Sequence, residues 1–170
     1  MKKYISLSER IFIAGAAGMV GSSIFKQFIK AGYGNKKNNG IIFTPSRKEL
    51  DLLDTESVKE WFNKNKPSIV ILAAAKVGGI LANNNFPADF IIENLKIQTN
   101  VIESAWRNGT KRLLFLGSSC IYPKFATQPI KEDALLSGSL ETTNEWYAIA
   151  KIAGIKLCQS LREQYDFDAI

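Results

Sequence analysis

Four short apolar runs constrain this chain more than anything else in it. They are "RIFIAG" (10–15), "GIIFT" (40–44), "SIVILAAA" (68–75) and "RLLFLGSS" (112–119). The third has no polar alternation, which is the pattern of a strand covered on both faces. The stretches between them carry a different period. From Met19 to about Lys30, Val20, Ile24, Phe28 and Ile29 recur at helical spacing, and Val58, Trp61 and Phe62 share a face of a helix over 55–65 that Pro67 stops. Long amphipathic helices are predicted over 87–109, with a proline near the start and Gly109 after the end, and over 144–165. Strands alternating with helices predict an α/β fold, a doubly wound parallel sheet of Rossmann type. A chain of 170 residues suffices for one domain of this kind.

Composition narrows the function. The net charge of +6 comes largely from lysines scattered over helix faces and the run "GNKKNNG", a solvated surface and not the basic, aromatic-interleaved face that nucleic acid requires. No apolar run approaches the roughly 20 residues of a membrane span. "MKKYISLSER" lacks the apolar stretch of a signal peptide. Two cysteines fit a reducing cytosol better than a disulfide framework. The chain has no histidine, which removes the commonest acid–base group and the commonest metal ligand; no metal site is expected.

Between the first strand and first helix lies "GAAGMVG", with Gly15, Gly18 and Gly21 in the pattern G-x-x-G-x-x-G. Glycines there permit a sharp turn and close backbone approach, and a helix N-terminus offers free N–H groups to a pyrophosphate. That position makes Gly15, Gly18, Met19, Val20 and Gly21 candidates for cofactor binding. Arg47, Asp51 and Leu52, after the second strand, are candidates for the adenosine end, where Arg47 would favour a 2′-phosphate; a solvated turn is the plainer reading of the same residues. Ala73, Ala74 and Ala75 end the third strand in side chains small enough for a flat cofactor to lie against the backbone.

The fourth strand ends in Ser118, Ser119 and Cys120, and Tyr147 and Lys151 lie four apart on one helix face. A lysine ammonium one turn from a phenol is expected to lower its pKa, and a serine hydroxyl can bond a carbonyl beside it. Cys120 reads either as an acid–base thiol or as a small buried hydrophobe; Cys158 reads as the latter.

The segments "IAGAAGMVGS", "LAAAKVGGILANNNFPADFI", "LLFLGSSCIYPK" and "YAIAKIAGIKLC" together resemble the extended short-chain dehydrogenase/reductase family, and within it the branch that epimerises and reduces GDP-4-keto-6-deoxy-D-mannose. The resemblance implies that Ser118, Tyr147 and Lys151 form a reductase triad, Lys151 also binding cofactor, and that Cys120 is the acid–base group of epimerisation. It implies NADP(H), with NAD(H) left open, a nucleotide-sugar substrate, a cytoplasmic enzyme and a homodimer paired through helices 89–109 and 144–165. Two positions depart from the family: Ala16 and Ala17 stand where many members carry an arginine, and Trp146 stands where proline is usual. The family continues beyond the position of Ile170 with further strands, a substrate domain and the histidine that partners the cysteine. The chain is therefore expected to be the N-terminal part, with an uncovered sheet edge and no activity alone. Rival readings are a nucleotide-sugar 4-epimerase or 4,6-dehydratase with tightly held NAD, and a non-catalytic dinucleotide-binding remnant.

Overall fold

A computed structural model describes residues 5–170. Strand β1 (Arg10–Ala14) leads into helix α1 (Met19–Lys30), followed by β2 (Ile41–Phe43), α2 (Thr55–Asn65) and β3 (Ile69–Leu72). The short helix α3 (Ile80–Asn85), the long α4 (Pro87–Arg107), β4 (Arg112–Phe115) and α5 (Glu145–Tyr165) complete the order. The sheet runs β2-β1-β3-β4, every pair parallel. All four strands therefore end at the same edge.

Register explains why the apolar runs show no alternation. Phe12, Val70 and Leu113 form one row across the sheet, and Ala14, Leu72 and Phe115 the next. These face α2, α4 and α5, packing with Val58, Phe62, Val101, Ile102 and Leu161. Ile11, Ile13, Ile69 and Ile71 point the other way, onto Ile24, Phe25 and Phe28 of α1. The central strands β1 and β3 thus bury both faces, and each large apolar side chain taken out of water there contributes about 1.5–3 kcal/mol to holding the layers together. Trp61 wedges between the strands and α2, its ring 4.4 Å from Phe12 and 5.4 Å from Phe43.

Local chemistry sets the helix ends. Asp54 caps α2, its carboxylate accepting from the amides of Glu56 and Ser57 at 3.1 and 3.2 Å. Pro87 opens α4, and Gly109, at φ +70°, takes the chain out of it. The strands are shorter than expected: β3 stops at Leu72 and β4 at Phe115, so Ala73–Ala75 and Ser118 lie on loops beyond the sheet. The helix α3, in "ILANNN", lacks the length for a visible period and was not expected. Nor is the outer edge of β4 bare, as the sequence suggested. Leu113 and Phe115 donate backbone N–H bonds to the carbonyls of Asp168 and Ile170 at 2.9 and 2.8 Å, so the last residues begin another parallel pairing.

Three buried side chains of α4 reach different segments. Asn94 accepts from the Lys76 amide and donates to the Lys76 carbonyl, both at 2.9 Å. Gln98 donates to the Ala150 carbonyl of α5 at 2.7 Å, and Asn100 to the Leu52 carbonyl at 2.9 Å. They are 2%, 3% and 8% exposed, so water cannot replace these bonds.

Gly21 marks the close approach of α1 to the loop before it, where a Cβ would overlap the Gly15 carbonyl. Alanine normally stabilises a helix interior by about 1 kcal/mol over glycine, but here backbone stands in the way. Gly21→Ala is expected to lower the melting temperature by about 5 °C or more in a circular-dichroism melt; an unchanged or higher value would show that the loop can retreat.

Candidate active site

The strand order places a crevice where connections leave in opposite directions, between the carboxyl ends of β1 and β3, the position at which sheets of this kind bind ligands. Gly15 follows β1 at φ +84°, and a Cβ there would come within 2.7 Å of the Ala74 amide nitrogen. The two loops therefore touch backbone to backbone. Gly18 donates to the Gly15 carbonyl at 3.0 Å and begins α1 with no side-chain cap and no acidic residue in the first turn. The first-turn amides and the positive end of the helix dipole stay available to an anion. Met19 and Val20 are exposed beside them, and Gly21 is buried. With only methyl groups on Ala73, Ala74 and Ala75 across the crevice, the cradle fits a dinucleotide pyrophosphate and a flat ring.

Arg47 and Asp51 lie beyond β2, at the far side of the crevice from β4. Their side chains are exposed and 3.8 Å apart, a loose ion pair that water screens. Asp51 also accepts from the Leu53 amide at 3.1 Å, and Leu52 packs against the core while Asn100 holds its carbonyl. Glu49 sits on the Ser46 amide at 2.7 Å, and that bond holds its carboxyl below the usual range.

At the end of β4 the chain makes a 3-10 turn, Ser119–Ile121, begun by Ser118. The turn folds Cys120 back until its Sγ is 3.1 Å from Ser118 Oγ. Tyr147 and Lys151 of α5 face the same place. Lys151 is only 4% exposed, donates to the Leu116 carbonyl at 2.7 Å, and lies 4.6 Å from the Phe115 ring centre. Burial pulls its ammonium down to about 8, against a smaller upward push from Cys120. The Tyr147 phenol is pushed up by burial and then by Cys120, while a hydrogen bond from Ser118 acts the other way. The i, i+4 spacing alone predicts a lowered phenol. Burial of the phenol is the main reason for the difference, and the Lys151 ammonium is turned to the Leu116 carbonyl, its Nζ 5.9 Å from the Tyr147 ring centre. Hydroxyl, thiol, phenol and ammonium are nonetheless gathered at one strand end, able to hand protons to a group in the crevice.

Cys158 is elsewhere, 4% exposed in the core, its thiol pushed up to about 11 by burial. Sequence reasoning missed Asn94, Gln98 and Asn100, although carboxamides interrupting the apolar face of an amphipathic helix were the available signal. Among the described residues no cluster could hold a metal ion, and no helix is long and apolar enough to cross a membrane.

Lys151 leaves a mark on stability. Below pH 8 the folded chain carries a charge that burial opposes; between about 8 and 10.5 the unfolded chain keeps the proton that the folded chain has lost, so this contribution rises with pH. The charge costs about 3 kcal/mol at neutral pH, and freeing the Leu116 carbonyl costs about 1. Lys151→Met is expected to be more stable than the parent by about 2 kcal/mol at pH 7, with the advantage gone by pH 10.5 in urea titrations. A difference independent of pH would refute the shifted ammonium.

Residues 11–170 match the NAD dependent epimerase/dehydratase family. The chain is 59% identical over 163 residues to GDP-L-fucose synthase 1 of Arabidopsis thaliana, and 53% over 160 residues to a GDP-L-fucose synthase of Escherichia coli (strain K12). Those matches cover 96% and 94% of this chain but 49% and 48% of the relatives, so the chain spans about half the length of the curated relatives it matches. A solved GDP-mannoheptose C4 reductase from Campylobacter jejuni with NADP bound is similar at a TM-score of 0.89 and 38% identity, covering 98% of this chain and 51% of that one. The glycine cradle, the crevice at the reversal of strand order and the match from β1 to the last residue agree: the chain belongs to the NAD dependent epimerase/dehydratase family.

Proposed function

We propose that these residues are the cofactor half of an NADP-dependent enzyme that epimerises GDP-4-keto-6-deoxy-D-mannose and reduces its 4-ketone to give GDP-L-fucose. The observation that carries this reading is the thiol of Cys120, set 3.1 Å from the Ser118 hydroxyl in the same cluster as Tyr147 and Lys151. Reduction alone requires no thiol there. Epimerisation requires a group that takes a proton from carbon next to the carbonyl, and a thiolate can do so. The names of the two synthases and the NADP in the C4 reductase support substrate and cofactor.

When bound, the reduced nicotinamide supplies a hydride to the C4 carbon of the ketone. The residues do the rest. The first-turn amides of α1 hold the pyrophosphate, and Arg47 meets the 2′-phosphate of the adenosine ribose, replacing an exposed contact to Asp51 with a charge-assisted bond. Asp51 and Leu52 border the adenosine. Ser118 bonds the ketone oxygen, Tyr147 gives it the proton that completes the alcohol, and Lys151 holds the phenol and the nicotinamide ribose in line. A ribose hydroxyl that takes Lys151 away from the Leu116 carbonyl would bring its charge to bear on Tyr147 and reverse the upward push of burial. The chain has no histidine to return a proton opposite Cys120, so alone it binds cofactor without turning over the keto-sugar, and the rest of the substrate site belongs to a further domain. A cytoplasmic homodimer paired through 89–109 and 144–165 belongs to the same reading, and the exposed Ile92 and Ile149 on those helices fit it.

Two measurements test the proposal. NADPH should bind the 170-residue chain more tightly than NADH in a fluorescence titration, and Arg47→Ala should weaken NADPH about tenfold while leaving NADH alone; equal loss for both would remove Arg47 from phosphate recognition. In an enzyme completed with the substrate half of the E. coli relative, Cys120→Ser should abolish deuterium uptake from solvent into the sugar while reduction persists. Tyr147→Phe should lower reduction at least 100-fold. Unchanged deuterium uptake in Cys120→Ser would remove Cys120 from epimerisation, and no uptake even with Cys120 present would make the site a plain C4 reductase.

A further inference from the structure

We infer that Gln98 of α4, acting through the backbone of α5, is the positioning residue for Lys151. The inference rests on the reading of Lys151 as a site residue, and it begins from Ala150, its neighbour. The Gln98 carboxamide donates to the Ala150 carbonyl at 2.7 Å, in a place 97% shielded from water. A helical carbonyl has a second lone pair, so this bond adds to the helix without breaking it. An apolar side chain would fill the same space without bringing a polar group out of water. What the carboxamide adds is direction, because it fixes α5 against α4 at one rung.

One turn later α5 carries Gly154, whose missing side chain is the other half of the arrangement. A Cβ there would meet the Phe115 ring at 2.6 Å and the Gln98 carboxamide carbon at 2.9 Å. The glycine lets α5 close on both. Phe115 and the adjacent Leu116 carbonyl are the groups that receive the Lys151 ammonium, at 4.6 Å from the ring centre and 2.7 Å from the oxygen. The approach that Gln98 secures is therefore the one that lets Nζ reach its acceptor. An outward drift of α5 by an ångström would take that contact out of hydrogen-bond range and admit water to the ammonium.

The titratable groups facing Lys151 are Cys120, beyond β4, and Tyr147 on its own helix; α4 contributes the uncharged Gln98. Burial is what lowers Lys151, so release must raise its midpoint. The test is a carbon-13 NMR titration of the lysine side chains in the intact chain, with the Lys151 signal assigned by its loss in Lys151→Arg. The parent midpoint is expected near 8. In Gln98→Leu it should move up by at least about half a pH unit, and Gln98→Met, closer in length to glutamine, serves if the leucine variant does not fold. A lower melting temperature with an unmoved midpoint would assign Gln98 to packing alone and overturn the inference. NADPH titration of the same proteins keeps the two readings apart, with about tenfold weaker binding expected in the variants. If the midpoint moves but the parent binds no NADPH, the cofactor reading falls and the positioning role stands. If NADPH binds and the midpoint stays, the reverse holds.

Discussion

A buried carboxamide that has lost water must find a backbone partner or forfeit about 1–3 kcal/mol, and α4 presents three of them. Asn94 takes both backbone groups of Lys76, much as a neighbouring strand would, and so extends order past the end of β3 into the loop that borders the crevice. Gln98 takes a carbonyl of α5, and Asn100 one from the segment after β2, where Thr55 bonds it in turn. The apolar core supplies cohesion, but cohesion alone tolerates sliding. These directional bonds do not, and they tie the loops after β2 and β3, and helix α5, to one helix.

The same division explains what could be read in the sequence. The strands, the glycine loop and the long helices follow from apolar period and from punctuation by glycine and proline, which are local properties. The doubly wound sheet follows from their alternation. Gathering Ser118, Cys120, Tyr147 and Lys151 at one strand end was legible because parallel strands must all end at one edge. What was not legible depends on contacts between distant residues. The direction of the Tyr147 shift is set by how deeply α5 buries the phenol and by where Lys151 points. The pairing of β4 with residues 168–170 is a tertiary event, and α3 is too short to carry a period of its own.

Electrostatics and packing meet at Lys151. Its ammonium is placed over an aromatic ring and on a carbonyl, neutral groups that soften its burial without cancelling it. A charge held in that condition responds strongly to any new polar neighbour, since little water screens it. The ammonium is thus poorly placed for stability and well placed to answer a ligand's hydroxyl, a conflict typical of functional positions.

The unlike surroundings of the two thiols turn them into internal clocks. Cys120 is half-buried at the crevice and within reach of small alkylating reagents, so its labelling reports on access to the site. Cys158, packed between α5 and the sheet with its thiol near 11, is silent toward such reagents until the helix lifts. The slow second modification therefore counts excursions in which α5 leaves the sheet, the local opening free energy of the very helix that carries Tyr147 and Lys151.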